Sequence, residues 1–279
     1  MDRYEVLELI GRGSFGEIRK VRRIHDGAIL CRKEILWRKM KQREREQLQA
    51  EMRILASLQH KHIVQYIEQV TDQSTKMVYI YMEYCGNGDL HELITARKEQ
   101  NPGVKFAEAM IWQVFSQLCL ALYRCHNGFD APPPRMQNTV LHRDIKPQNI
   151  FLDHDNRVKL GDFGLSKEVT GPGLADTYVG TPFYMSPEII AGRAYNAKSD
   201  IWAMGCCIYE LCTFEPPFLA RDQQELNVKI KAGQITSVTR HGYSESLDRA
   251  IRACLSQSEQ RRPSAATLLR MQEMHLARR

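Results

Sequence analysis

A glycine-rich segment near the start of the chain, Gly11 to Val21 (GRGSFGEIRKV), restricts the possible folds more than any other. Its G-x-G-x-x-G pattern occurs in two kinds of phosphate-binding loop, a strand-to-helix turn for dinucleotides and a hairpin that covers nucleotide phosphates. The residues after Gly16, EIRKV, alternate in polarity and therefore predict a strand. Because a dinucleotide pyrophosphate needs a helix N-terminus at this point, the hairpin is the favoured interpretation.

Strand signals dominate the N-terminal part of the chain. Short segments rich in β-branched and aromatic residues recur at YEVLELI, AILCRKEI, IVQYIEQV and KMVYIYMEY. One charged stretch, Trp37 to Leu58, separates them and has helical spacing. Its apolar face consists of Leu48, Met52, Leu55 and Leu58. We therefore expect a small β-rich lobe that contains one long helix.

Helical spacing replaces the strand signals after CGNGDL, Cys85 to Leu90. A helix of about four turns is predicted by apolar residues that recur at i, i+3 and i+4, namely Ile111, Val114, Phe115, Leu118 and Leu122. The nearly all-apolar segment Ile201 to Cys212 predicts a helix buried on every side. The chain is thus expected to be α+β and bilobal, with a β-rich lobe at residues 1–84 and a helical lobe at 85–279.

The composition excludes several other classes of protein. The chain is 43% hydrophobic and 26% charged, and it has no apolar run of about 18 residues, so we expect no membrane span. The net charge of +6 is mild, and its local basic cluster, Arg38 to Arg45, is typical of a solvated helix face and not of a nucleic-acid site. The eight cysteines form no C-x-x-C pair, which predicts reduced thiols in a cytosolic or nuclear protein.

Two segments far from the glycine loop carry groups suited to phosphoryl transfer. HRDIKPQN, His142 to Asn149, offers an aspartate, a lysine and an asparagine, and GDFG, Gly161 to Gly164, adds a second aspartate. Phosphoryl transfer needs charge neutralisation, metal ligands and a base that orients the acceptor. A single aspartate or asparagine usually just stabilises a turn. The ordered set of motifs resembles a eukaryotic protein kinase domain, over about residues 4 to 275.

The resemblance implies an ATP site and a Mg²⁺ site. Asp144 is expected to be the catalytic base, Lys146 to steady the γ-phosphate, and Lys33 to contact phosphates with Glu51 as its partner. Asn149 and Asp162 are expected to bind Mg²⁺. The nucleotide is expected to lie against Ile10, Gly11, Arg12, Gly13, Ser14, Phe15, Gly16, Glu17, Ile18, Cys31, Lys33, Glu83, Cys85 and Phe151. Arg32, next to Cys31, is expected to point outward from the cleft.

Further roles follow from the same resemblance. Arg143 is expected to bind a phosphate on Thr177, and Thr181 to belong to the acceptor platform. An ion pair is expected between Glu188 of the SPE motif and Arg262. A stack that links the lobes, anchored by Asp200, is expected to contain Leu55, His142 and Phe163.

The motifs VLHRDIKPQNIFLD, TYVGTPFYMSPE and KSDIWAMGCCIYELCTFEPPF are most similar to those of NimA-related kinases, which are serine/threonine-specific. Expected partners are proteins with Ser/Thr acceptors, without nucleic acid or membrane, and a homodimer could form through regions outside this chain. The expected location is the cytoplasm, with the cytoskeleton (centrosome or basal body) and the nucleus as alternatives. Two rival hypotheses are a catalytically silent kinase-like scaffold and a dinucleotide oxidoreductase.

Overall fold

The chain folds into a sheet-rich part followed by a helical part. The computed structural model describes residues 3–13, 16–127, 139–161 and 183–278. The strands are β1 (Tyr4–Gly13), β2 (Gly16–Arg23), β3 (Ile29–Leu36), β4 (Tyr66–Asp72), β5 (Met77–Glu83), β6 (Ile150–Leu152) and β7 (Val158–Leu160). The α-helices are α1 (Gln42–Ser57), α2 (Leu90–Gln100), α3 (Glu108–Asn127), α4 (Pro187–Ile190), α5 (Ala197–Thr213), α6 (Gln223–Ala232), α7 (Glu245–Cys254), α8 (Ala265–Leu268) and α9 (Gln272–Leu276). Within the described ranges, no helix is both long enough and apolar enough to cross a bilayer.

The first five strands form one antiparallel sheet in the order β1-β2-β3-β5-β4. Helix α1 contributes buried apolar side chains to the core beside this sheet, as the helical spacing predicted. These are Leu48, Met52 and Leu55, with Leu58 just beyond the helix. The α+β, bilobal prediction is confirmed, with the antiparallel sheet in the first lobe and helices in the second.

The predicted start of α1 is wrong by five residues. Trp37 to Lys39 form a separate 3-10 turn, Met40 is extended, and α1 begins only at Gln42. The Trp37 backbone N–H donates to the carbonyl of Lys76 at 3.1 Å, next to the start of β5. That long-range bond holds Trp37 against the sheet, so the chain cannot turn into the helix until after Met40.

Two helices form the centre of the second lobe. Every residue of α5 from Ser199 to Cys212 is buried, which confirms the prediction of a helix enclosed on all sides. Helix α3 has 20 residues, more than five turns, and is therefore longer than the four turns predicted. Its predicted apolar face is buried as expected. All eight cysteines are free thiols, and six of them are buried.

A small hairpin, β6 and β7, joins the two lobes. Leu160 accepts a hydrogen bond from the Val64 N–H and donates one to the carbonyl of His62, both at 2.9 Å, so β7 is bonded to the segment that follows α1. On the other strand, the N–H of Leu152 donates to the carbonyl of Gly88 at 2.9 Å, just beyond β5. The cleft between the lobes is therefore bordered by backbone that is fixed on both sides.

Glu188 and Arg262 form the ion pair that the sequence predicted. The guanidinium donates to both carboxylate oxygens, at 2.7 and 2.6 Å, and neither side chain is exposed. The hydroxyl of Ser199 donates a third bond to Glu188 at 2.7 Å. Burial alone raises the pKa of Glu188, but the bonds from Arg262 and Ser199 lower it to about 2. The pair ties α4 to the start of α5 and to the loop before α8.

Candidate active site

The segment from His142 to Asn149 is attached to the buried helix α5 through Asp200. The carboxylate of Asp200 accepts bonds from the backbone N–H groups of His142 and Arg143, each at 3.1 Å. It also accepts bonds from the His126 ring at 2.8 Å and the Tyr195 hydroxyl at 2.6 Å. Burial acts to raise the pKa of Asp200, but these donors, His126 first, hold it below its ordinary value. Asp200 therefore stays ionised and fixes the segment.

Arg143 has a backbone conformation that few non-glycine residues adopt. Its φ of 67° lies in the left-handed region, which costs a residue with a Cβ about 1–2 kcal/mol. The bond from its N–H to Asp200 supplies an interaction that stabilises this turn. The sharp turn sets the direction in which the next residue, Asp144, leaves the backbone.

Asp144, Lys146 and Asn149 form one hydrogen-bonded cluster. The Lys146 ammonium lies 2.9 Å from Oδ2 of Asp144. The Asn149 side-chain amide donates to the same Oδ2 at 2.9 Å and to the Asp144 carbonyl at 2.7 Å. The side chain of Asp144 remains 20% exposed, so it is accessible to a reactant while its orientation is fixed.

His142 connects this cluster to Gly161, the first residue of GDFG. Its Nδ1 accepts the backbone N–H of Asp144 at 3.3 Å, and its Nε2 donates to the carbonyl of Gly161 at 2.9 Å. The N–H of Gly161 in turn donates to the carbonyl of Asn149 at 3.0 Å. The two segments that carry the expected metal ligands are thereby held side by side. Asp162 itself lies outside the described residues.

The glycine loop is a hairpin, as the strand after it predicted. β1 and β2 pair in a register that places Gly11 opposite Ile18 and Gly13 opposite Gly16. A Cβ on Gly16 would lie 1.6 Å from the carbonyl oxygen of Glu34 on β3, so only glycine fits there. Because Gly16–Arg23 form strand β2, no dinucleotide-type helix begins at Gly16.

The strand that carries Lys33 lies in the middle of the sheet. Lys33 pairs with Ile18 on β2 and with Ile80 on β5, so it lies directly beside the glycine hairpin. The backbone of Glu51 lies in α1, but its side chain is outside the described part of the chain, and the pairing with Lys33 stays a prediction. The other predicted site residues outside the described ranges are Ser14, Phe15, Asp162, Thr177 and Thr181, together with Phe163 of the expected stack.

Glu83, at the end of β5, is clamped by both its backbone and its side chain. Its N–H donates to the carbonyl of Gln65 at 2.9 Å, and its carboxylate accepts the N–H of Gln65 at 3.1 Å. The same carboxylate pairs with Lys159 of β7 at 2.6 Å. These three contacts fix the end of β5 to the segment before β4 and to β7.

Two cysteines lie at the same end of the cleft. Cys31 on β3 pairs with Met82 on β5, and Cys85 follows Glu83 by two residues. Burial, reinforced by the charge of Glu83, raises the pKa of Cys85 to about 12. Both thiols are partly buried, and that of Cys85 is protonated at neutral pH, so it presents a weakly polar surface.

Arg32 is more buried than we expected for a side chain that points outward from the cleft. Its guanidinium lies 4.8 Å from the centre of the Tyr79 ring and pairs with Glu34, and only 14% of its side chain is exposed. The residue alternates away from Cys31, as predicted, but it packs on the outer face of the sheet and is not solvated.

Some residues that shape the site carried no recognisable signal in the sequence. His126 and Asp200 are 74 residues apart, and nothing in the spacing around His126 indicates a partner on α5. The pairing of Lys159 with Glu83 is equally non-local. The motif that contains Gly161 does not indicate that its backbone joins two parts of the site.

Comparison with known proteins agrees with this geometry. The protein kinase domain model matches residues 4–273. Similar curated proteins include the G2-specific protein kinase nim-1 of Neurospora crassa, at 51% identity over 100% of this chain and 34% of that protein. The G2-specific protein kinase nimA of Emericella nidulans is 50% identical over 100% of this chain and 42% of its own length.

Human serine/threonine-protein kinase Nek2 is 42% identical over 95% of this chain and 58% of its own length. The chain thus spans between about a third and three fifths of the length of these three relatives. The matched domain, the order of its motifs and the geometry of the cleft agree with one another. The chain belongs to the protein kinase family, and it is similar to NimA-related members of that family.

Proposed function

We propose that this chain is an ATP- and Mg²⁺-dependent protein kinase that phosphorylates serine and threonine residues. The observation that carries the proposal is the cluster of Asp144, Lys146 and Asn149, oriented by hydrogen bonds and anchored through Asp200 to the buried α5. A purely structural role seldom requires a lysine and an asparagine to bond to the same partly exposed carboxylate. Family membership supplies the reaction type.

Asp144 is proposed to accept the acceptor hydroxyl's proton, or to orient that hydroxyl, because its carboxylate is held and accessible. Lys146, beside the same carboxylate, supplies positive charge for the transferred phosphoryl group. Lys33 on β3 is proposed to contact the other phosphates, as the resemblance implies.

The donor set around Asn149 fits a Mg²⁺ ligand. Its amide nitrogen donates twice to Asp144, which leaves the amide oxygen as the group that can bind a cation. Hard cations such as Mg²⁺ prefer oxygen ligands, and Asp162 is proposed as the second one. When held by these residues, Mg²⁺ would supply charge neutralisation for the phosphates.

The nucleotide is proposed to lie under the β1–β2 hairpin. The hairpin, in which β1 pairs with β2, supports this placement. Glu83 and Cys85 are proposed to offer backbone hydrogen bonds to the base, and Phe151 on β6 is proposed to pack against it. We propose that residues 4–275 form a single kinase domain, with lobes at 1–84 and 85–279.

Regulation is proposed to act on the segment after Gly161. A phosphate on Thr177 would be bound by Arg143, and Thr181 would contribute to the acceptor platform. Since the names of the nim-1 and nimA relatives describe G2-specific kinases, we propose a cell-cycle role in the cytoplasm, at the cytoskeleton or in the nucleus. Partners are proposed to be protein substrates, with dimerisation through segments outside this chain and no nucleic-acid or membrane ligand.

A phosphate-transfer assay tests the proposal. The chain is incubated with labelled ATP, Mg²⁺ and casein, beside Asp144→Ala. We expect label on serine and threonine in the wild-type reaction and at least a hundredfold less with the variant. Equal labelling by both proteins would remove the assignment of Asp144. Nucleotide binding without any labelling by the wild type would favour the silent scaffold.

A further inference from the structure

Gly161 is confined by its neighbours and not by its own backbone angles. It is buried, and its φ is not among the positive values found at other glycines of the chain. An ideal Cβ at this position would lie 2.8 Å from Cγ2 of Val64 and 2.9 Å from Cε2 of Phe151. Real Cβ atoms essentially never come within 3.0 Å of a heavy atom outside their own residue and its chain neighbours, so a side chain here forces a neighbour to move.

The backbone of Gly161 cannot be the part that moves. Its N–H donates to the carbonyl of Asn149 at 3.0 Å, and its carbonyl accepts from the His142 ring at 2.9 Å. Both partners belong to the segment that contains Asp144. A shift of Gly161 would break two bonds to buried groups, each of which costs more than rotation of a side chain.

Val64 is also held in place. Its N–H donates to the carbonyl of Leu160 at 2.9 Å, and its neighbour Ile63 forms a β-bridge with Leu160. Because Leu160 directly precedes Gly161, Val64 is fixed to the same strand that carries the glycine. Its branched side chain has few rotamers in which to retreat.

The ring of Phe151 is the neighbour that can yield. The backbone of Phe151 pairs with Lys159 across the β6–β7 hairpin, but the ring can turn about its side-chain torsions. Phe151 is only partly buried, so its ring has room to move away from the buried Gly161. The proposed function gives that space to the adenine.

We propose that Gly161 is a positioning residue of the nucleotide site, where the absence of a side chain lets the Phe151 ring lie low enough to admit a purine base. The inference rests on the proposed ATP-dependent activity. Gly161 would act through Phe151 and would not touch the nucleotide. An added methyl group at Gly161 should therefore weaken nucleotide binding. Shortening Phe151 should restore it.

The test compares Gly161→Ala, Phe151→Leu and the double variant with the wild type. The dissociation constant of ADP with Mg²⁺ is measured by calorimetry, and the kinetic constants for ATP by casein phosphorylation. For Gly161→Ala we expect about tenfold weaker ADP binding and a similar rise in KM, with kcat at saturating ATP within about twofold. In the Phe151→Leu background, the same substitution should weaken ADP binding less than about twofold.

Gly86→Ala is the matched control. A Cβ at Gly86 would lie 3.6 Å from the Tyr84 ring, an ordinary contact, in the connection between the lobes. We expect its ADP affinity to stay within about twofold of the wild type. If Gly161→Ala fails to fold, folding and ADP binding by the double variant would still support the proposal.

Three results would overturn the inference. They are wild-type ADP affinity in Gly161→Ala, an equal loss of ADP affinity in both Phe151 backgrounds, and failure of both Gly161→Ala and the double variant to fold. The first result would show that an added methyl group does not disturb the nucleotide site, and the other two would show that shortening Phe151 does not relieve a clash. Absence of ADP binding by the wild-type chain would instead contradict the proposed function itself.

Discussion

The guanidinium of Arg262 and the carboxylate of Glu188 meet in a two-bond ion pair with no exposure of either side chain. Removal of one partner leaves a buried charge without compensation, which typically costs about 3–5 kcal/mol. We therefore expect Arg262→Met to lower the free energy of unfolding by that amount, measured by urea denaturation. Glu188→Leu combined with Arg262→Met should recover much of the loss. A single variant within about 1 kcal/mol of wild type would contradict this account.

Glu188 also predicts a pH dependence of stability. Burial acts to raise its pKa, but the bonds from Arg262 and Ser199 lower it to about 2 from an ordinary 4.5. A depressed folded-state pKa stabilises the fold above the unfolded value, and this contribution is lost as pH falls from about 4.5 toward 2. We expect the unfolding free energy of the wild type to fall more steeply below pH 4.5 than that of Glu188→Gln. Parallel curves would show that Glu188 does not contribute.

Phe214, at the end of α5, holds a left-handed backbone conformation with φ of 66°. Its ring packs edge-on against Phe106 at 5.6 Å, which stabilises the residue in spite of the strain. Phe214→Ala loses the ring and keeps the strain, whereas Phe214→Gly loses both. We expect the free energy of unfolding of the glycine variant to be about 1 kcal/mol higher than that of the alanine variant, which is the reverse of the usual order within helices. Equal thermal or urea stability of the two variants would show that the backbone of residue 214 is not strained.

Glu83 and Lys159 link β5 to β7 across the two lobes at 2.6 Å, with 25% and 12% of their side chains exposed. Neutral variants, Glu83→Gln and Lys159→Met, should each lower the unfolding free energy. Because the pair is only partly screened from water, we expect a coupling of about 1 kcal/mol in the double-mutant cycle. A coupling near zero would show that the ion pair does not stabilise the junction.

The elements that sequence reasoning predicted are those set by local pattern. The apolar spacing around Leu48 and around Phe115 reports a face that must be buried, so α1 and α3 could be recognised from their own residues. The alternation after Gly16 likewise predicted the hairpin. The start of α1 could not be predicted, because it depends on the bond between Trp37 and the carbonyl of Lys76.

In the candidate active site, too, local motifs predict some residues, whereas others depend on distant contacts. The motifs indicated Asp144, Lys146 and Asn149 together, because they lie in one short segment whose order resembles a known family. The carboxylate that fixes this segment, that of Asp200, is held by donors from elsewhere. His126 and Tyr195 reach Asp200 from a distant helix and from the loop before α5, contacts that no local pattern encodes.

Asp144→Asn tests most directly whether Asp144 is the catalytic base of the oriented cluster. The carboxamide keeps the shape of the side chain and an oxygen for Lys146 but cannot take a proton. We expect kcat for casein phosphorylation to fall by about a hundredfold or more, while the dissociation constant of ADP with Mg²⁺ stays within about threefold of wild type. A kcat within tenfold of wild type, with nucleotide binding unchanged, would contradict the assignment.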